Sequence, residues 1–270
     1  SDDQKSGFQV GSRRYVWMFP DEMEIVTTDL SAANPGETAQ PVFTRPNYDA
    51  ECSWSPDGRF ILYSHIEDSE PGANIYIYDT QTQQHHAIVV APGYDGGPFF
   101  SPDGKAICYR SDRAGNDLLQ LYVATLRFDE NGVPVGMDSE YQLTRNEHVN
   151  WAPYWHPTGK FLVYASSEAG HHNYEVFAIE SDVAKLAENI DAGSLRNARI
   201  TDAPGADLLP AFSPDGRWMM WTSQRGEKRA DEQRPSSQLW IAAWTAGDEP
   251  FAQPAGQQDS SSTDSGVAGH

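Results

Sequence analysis

Basic residues are scarce in this 270-residue chain: 19 Lys and Arg stand against 39 Asp and Glu, a net charge of −20 with His neutral. Such a surface repels phosphate, and the Lys/Arg clusters that drive counterion release are missing, so nucleic acid is excluded as a partner. The acidic balance points to cations, basic proteins or simple solubility. No apolar run approaches 18 residues, which excludes a membrane-embedded helix. Cysteine is nearly absent. Cys52 and Cys108 show neither CxxC nor CxxH spacing, so a disulfide framework or zinc knuckle is excluded and both are expected as buried thiols. The opening SDDQKSG has no basic and apolar stretch of a secretory leader; any such leader has been removed or never existed. Enzyme signatures are also missing: no G-x-S-x-G elbow, no H-E-x-x-H, no Gly-rich phosphate loop. No catalytic residue, metal or cofactor is therefore expected. What is present is 39% hydrophobic and 11% aromatic residues, enough to build a core and to exclude global disorder.

The chain repeats itself. YDAECSWSPDGRFILYSH (48–65), YDGGPFFSPDGKAICYRS (94–111), VNWAPYWHPTGKFLVYAS (149–166) and ADLLPAFSPDGRWMMWTS (206–223) share one template, with anchors Ser55, Ser101, His156 and Ser213 spaced 46, 55 and 57 residues apart. That period suits a four-stranded propeller blade with insertions. Pro56, Pro102, Pro157 and Pro214 fix φ for a type I turn that Gly58, Gly104, Gly159 and Gly216 close, so each unit is a hairpin. Trp54, Phe100, Trp155 and Phe212 form an aromatic column before the turn, and short β-rich runs follow it. Pro98, Pro153 and Pro210 lie inside the strand before the turn. A residue without N–H is tolerated only on an edge strand, which in a propeller is the innermost strand facing the channel.

Third strands are expected at 74–80, 119–126, 174–180 and 238–244, and weaker fourth strands at 85–90, 141–144 and 198–201. Upstream, 15–20, 23–30 and 41–44 match second, third and fourth strands, but no Pro-Asp-Gly turn precedes them. The fold class expected is an all-β propeller of four-stranded blades, four full and one partial or degenerate. Its blades span about 8–46, 47–93, 94–147, 148–205 and 206–250, with a flexible N-terminus at 1–7 and a disordered tail at 251–270. A short helix is expected between Ser181 and Gly193, where Val183, Leu186 and Ile190 share a face.

The aromatic-Ser-Pro-Asp-Gly-Lys/Arg turns, each followed by a third strand of the Ile-Tyr-Ile-Tyr type, resemble the TolB-like propeller repeats of bacterial periplasmic and secreted proteins. The resemblance runs from about Arg13 to Trp244. It implies a periplasmic or secreted location, a protein partner and six blades, where this sequence shows about four and a half. The third repeat departs from the pattern with His156-Pro157-Thr158-Gly159, and the first blade lacks its inner strand. Either the chain closes as a five-bladed ring, with residues 7–14 supplying an inner strand, or other polypeptide completes a six-bladed one. An open ring would expose a blade face with aromatics such as Trp17.

Six positions before each anchor stand Asp49, Asp95, Asn150 and Asp207, which equal template position places on one circle. They either cap loops between blades or form a ring at the channel mouth that binds a cation or small ligand. Trp151 either stacks on a ligand or packs between blades. These five are the candidate binding residues. His171-His172 and His85-His86 read as solvated loops, because adjacent side chains on an extended backbone point apart. The acidic stretch 67–74 misses EF-hand spacing. Function is expected to be binding or scaffolding for a protein partner at the rim and channel mouth; the alternatives are an enzyme or an enzyme-associated domain, carbohydrate-active or peptidase-associated, with a site in the central channel, or cation or small-ligand binding at the Asp ring.

Overall fold

Each Ser-Pro-Asp-Gly segment folds two strands onto each other by bonds internal to the turn. In the first repeat the Gly58 N–H donates to Ser55 O at 2.9 Å, the Ser55 hydroxyl donates to Asp57 Oδ1 at 2.5 Å and accepts the Phe60 N–H at 2.9 Å, and Asp57 Oδ1 accepts the Arg59 N–H. The same set recurs around Ser101 and Ser213. Gly58, Gly104, Gly159 and Gly216 all have φ near +70°, a left-handed backbone that glycine adopts without strain. The third repeat keeps the turn although His156 replaces Ser, because His156 Nδ1 stands 2.8 Å from the Thr158 hydroxyl and accepts the Thr158 N–H.

The computed structural model describes residues 23–67, 72–188, 194–232 and 235–251. Blade 1 is the antiparallel sheet β3 (Asp49–Trp54), β4 (Phe60–His65), β5 (Asn74–Asp79), β6 (Gln84–Val89). Blade 2 is β7 (Asp95–Phe100), β8 (Ala106–Ser111), β9 (Gln120–Phe128), β10 (Pro134–Gln142). Blade 3 is β11 (Asn150–Trp155), β12 (Phe161–Ser166), β13 (Glu175–Glu180), β14 (Asn197–Arg199). Among the described residues blade 4 has three strands, β15 (Asp207–Phe212), β16 (Trp218–Ser223) and β17 (Gln238–Ala243). A two-stranded unit, β1 (Val26–Thr27) with β2 (Gln40–Pro41), stands before blade 1. The fold is thus the expected all-β propeller of four blades and a partial one.

Every inner strand is an edge strand and every one is bulged. Register slips between Ala50 and Ser53, Gly96 and Phe99, Trp151 and Tyr154, and Leu208 and Ala211, and at each slip one residue has positive φ: Glu51, Gly97, Ala152 or Leu209. The bulge is what admits Pro98, Pro153 and Pro210, since their missing N–H falls where the ladder is already broken. Cys52 holds this place in blade 1 and is exposed, contrary to the expectation of two buried thiols; Cys108 is buried.

The core lies between blades, since a propeller sheet has two faces to cover. Phe60, Leu62, Ile75 and Ile77 of blade 1 pack on Phe100, Ile107 and Tyr109 of blade 2. Blades 2 and 3 meet through Cys108, Val123, Trp155, Leu162 and Tyr164, and blades 3 and 4 through Phe161, Val163, Phe212, Met219 and Trp221. Ile25, Val42 and Phe43 cover Ile61, Tyr63 and Tyr78 of blade 1. The expected helix is present as the short α1 (Val183–Glu188), whose Leu186 and Val183 join the core between blades 2 and 3; Ile190 and Gly193 lie outside the described residues, as do Trp17 and residues 68–71 of the acidic stretch. Two expectations are corrected. His85 and His86 lie in β6, where the expected fourth strand at 85–90 put them, and not in a solvated loop, with His85 packed on Phe43 and Tyr78. Phe251, assigned to the tail, is held by Arg196 stacked 4.8 Å from its ring and by Phe161.

Candidate functional site in the channel

The four template residues Asp49, Asp95, Asn150 and Asp207 are all buried, and each has a partner in its own blade, with Asn150 donating also to Gln120 of blade 2. Each begins an inner strand and pairs across the ladder with the last residue of the second strand: His65, Ser111, Ser166 and Ser223. Asp49 meets His65 Nδ1 at 2.8 Å, and Asn150 Oδ1 accepts the Ser166 hydroxyl at 2.9 Å. Blades 2 and 4 add an arginine two residues on. Arg113 Nη2 bonds Asp95 at 2.9 Å, while its Nε donates to Ser111; Arg225 does the same with Asp207 and Ser223. The guanidiniums lie over aromatic rings of the blade, Arg113 on Tyr122 at 4.4 Å and Arg225 on Trp240 at 5.1 Å. These contacts clasp the first two strands together. Burial pushes the Asp95 carboxyl up to about 6 against the opposing pull of Ser111 and Arg113.

The residues that converge from different blades are others. Glu51, on the bulge of β3, reaches into blade 2. Its Oε2 accepts the Gly97 N–H at 2.8 Å and the Tyr94 hydroxyl, and its Oε1 accepts Arg110 Nη2, which also donates to Tyr94 Oη at 2.8 Å. Burial pushes the Glu51 carboxyl up, but Arg110, Tyr94 and the Gly97 N–H outweigh it and hold the carboxyl below its ordinary value. Gly96 and Gly97 make this cluster possible. A Cβ at Gly97 would strike Arg110 Nη1, and one at Gly96 would strike the Tyr94 hydroxyl and the Glu51 carboxylate. Trp151 is half-buried in a cluster with Tyr94, Val149 and Leu208, and the Arg110 guanidinium lies 5.8 Å from its ring centroid. Charge compensation between blades, rather than an open acidic ring, is therefore what this part of the channel wall provides.

The other end of the inner strands forms a mouth. Trp54, Phe99, Tyr154, Trp155 and Phe212, with prolines from all four hairpins, line a cavity of about 350 Å³. Phe99 and Tyr154 meet at 5.2 Å with a T-shaped angle of 65° and are both half-buried. The aromatic column was legible in the sequence as strand periodicity. Phe99 and Tyr154, one residue earlier, were not singled out, because only the bulge turns that position toward the mouth. Glu51 was missed as well; its signal is a charged residue in a column otherwise filled by Gly97, Ala152 and Leu209. Among the described residues no group of three or more His, Cys, Asp or Glu side chains is arranged to hold a metal, and no helix is long and apolar enough to cross a membrane.

A family profile described as the TolB beta propeller domain matches residues 15–189. Among solved structures, a putative TolB from Agrobacterium tumefaciens is similar at 21% identity and TM-score 0.56, over 81% of this chain and 68% of that one. TolB from Acinetobacter baumannii is similar at 22% identity and TM-score 0.56, over 80% of this chain and 45% of that one. Hydrazine synthase from Kuenenia stuttgartiensis matches at 15% identity and TM-score 0.50, over 77% of this chain and 63% of that one. At these identities the likeness is one of fold.

Proposed function

Because the chain belongs to the TolB beta propeller domain family, whose repeat carries no catalytic device of its own, we propose that it is a non-catalytic module binding a protein partner at the turn-side mouth of its channel. The observation that carries this reading is the cavity of about 350 Å³ in which four Pro-bearing hairpins surround the half-buried pair Phe99 and Tyr154. Rigid aromatic surface recessed within a frame of turns suits one apolar or prolyl side chain of an extended segment, since such anchors supply much of the free energy of protein interfaces. Against a catalytic role stands the pairing of the channel's convergent carboxylate, Glu51, with Arg110, and against a cation ring stand the internal partners of Asp49, Asp95, Asn150 and Asp207. A periplasmic or secreted location agrees with the family and belongs to the same proposal.

Panning a random peptide display library on the full chain tests it. Selected peptides should carry a central apolar or prolyl anchor and lose about 10- to 100-fold in affinity for Tyr154→Ala or Phe99→Ala, the usual range for an interface anchor. Peptides that bind both variants as well as the parent would place the partner elsewhere.

A further inference from the structure

The outer edges of the first three blades are each defended against strand addition. β6 opens with Gln84, His85 and His86 and pairs through a bulge; β10 carries Pro134, Asp138 and Glu140 and is bulged twice; β14 is three residues long and ends in Arg199. Charge, proline, bulges and brevity are the usual protections of a sheet edge. β17, the outermost strand of blade 4 among the described residues, has none of them. Its run Gln-Leu-Trp-Ile-Ala-Ala is uncharged, exposed at every residue and regularly paired with β16.

The backbone groups along that edge follow from the ladder. The Trp244 N–H donates to Arg217 O at 2.7 Å, so antiparallel alternation turns Ala242 and Trp240 toward β16 as well, and Ala243, Ile241 and Leu239 outward. Their counterparts in blade 3 are Glu180, Ala178 and Val176. There the Glu180 N–H donates to Arg196 O at 2.9 Å, and Val176 O accepts the Ile200 N–H at 2.8 Å. Among the described residues no strand takes that place in blade 4.

We infer that β17 pairs antiparallel with β17 of a second copy of this chain. The strand is self-complementary in one register. With the two-fold axis at Ile241, the outward residues of both strands meet, Ile241 facing the partner's Ile241 and Leu239 facing the partner's Ala243, and each pair exchanges two hydrogen bonds. Trp240 falls opposite the partner's Ala242. Bulky residues thus meet alanines except at the isoleucine pair, and no like charges stand opposite each other. Residues 206–246 hold five Lys and Arg against five Asp and Glu, so the net charge of −20 lies outside blade 4. Two copies can approach there without local repulsion. The edge lies on the outer rim, away from the channel mouth, so this contact and the peptide site stand or fall separately.

Sedimentation of the full chain over a concentration series, with residue-resolved hydrogen exchange, tests this. The expected result is a monomer–dimer equilibrium that strengthens with salt, which screens the remaining negative charge, with amides 239, 241 and 243 exchanging about tenfold slower in the dimer than in the monomer. Ile241→Lys and Ile241→Glu set like charges face to face across the axis. Each should weaken the dimer by about tenfold or more, and an equimolar mixture of the two should recover it as a heterodimer. Ile241→Pro removes an outward N–H alone and serves if a charged variant does not fold. A chain that stays monomeric up to about 1 mM, or a dimer that Ile241→Lys leaves intact, would overturn the inference. So would slow exchange at 239, 241 and 243 in the monomer, which would put a segment of the same chain on the edge, or slow exchange only when another protein is added, which would give the edge to a foreign strand.

Discussion

Blades 3 and 4 are written in the same template and live in different surroundings. Phe161, Val163, Val176 and Ala178 of blade 3 are inaccessible, whereas their counterparts Trp218, Met220, Leu239 and Ile241 in blade 4 are open. The strand sequences are equally apolar, so burial here is set by what stands next to a sheet. Hydrophobic stabilisation follows area removed from water, not hydrophobicity of the residue.

The sharpest way to probe that contrast is to truncate equivalent side chains. Phe161 touches His156, Phe212, Trp244 and Phe251; Phe161→Ala is expected to cost about 4 kcal/mol in urea unfolding, in the range for a fully buried aromatic. Trp218→Ala should cost less than half as much, and equal losses would mean that both faces are equally covered. A smaller effect contrasts the bulge of blade 1 with that of blade 3, where Ala152 stands in place of Glu51. Arg110→Met should cost about 2 to 3 kcal/mol, chiefly by leaving the Glu51 carboxylate without its cation. Glu51→Ala combined with Arg110→Met should recover part of that loss, and strict additivity in the double-mutant cycle would show the two charges to be uncoupled.

The smallest effect separates the clasp of blade 2 from that of blade 3, where Asn150 replaces the acid. With the Asp95 carboxyl raised from 3.8 to about 6 by burial, the folded chain holds this proton more tightly than the unfolded chain. Its contribution to stability is therefore full below about pH 4 and is lost as pH rises through 6. Asp95→Asn should remove that part of the slope between pH 4 and 6. An unchanged profile of urea midpoint against pH would assign the slope to other groups.

How far the sequence could be read depended on the range of the interactions involved. Turns were legible because Ser55, Asp57, Gly58 and Phe60 satisfy one another within six residues. Edge position was legible from Pro98, Pro153 and Pro210, since a missing N–H has few places to go. The role of the Asp column was legible only as a position. Whether Asp95 faces a ligand or clasps Ser111 and Arg113 depends on which side its side chain takes. His85 fell within an expected fourth strand yet read as solvated, because its packing partner Phe43 is 42 residues away in the chain.

By itself, then, the sequence determined the repeat, the hairpins, the number of hairpin-bearing blades and the scarcity of cations, because each is fixed by local bonding or by composition. Tertiary structure alone decided that Glu51 meets Arg110 across 59 residues, that Phe99 and Tyr154 meet in one mouth, and that equivalent apolar faces are closed in blade 3 and open in blade 4. Those outcomes depend on the neighbour a blade receives, and a blade's own residues specify only the face it offers.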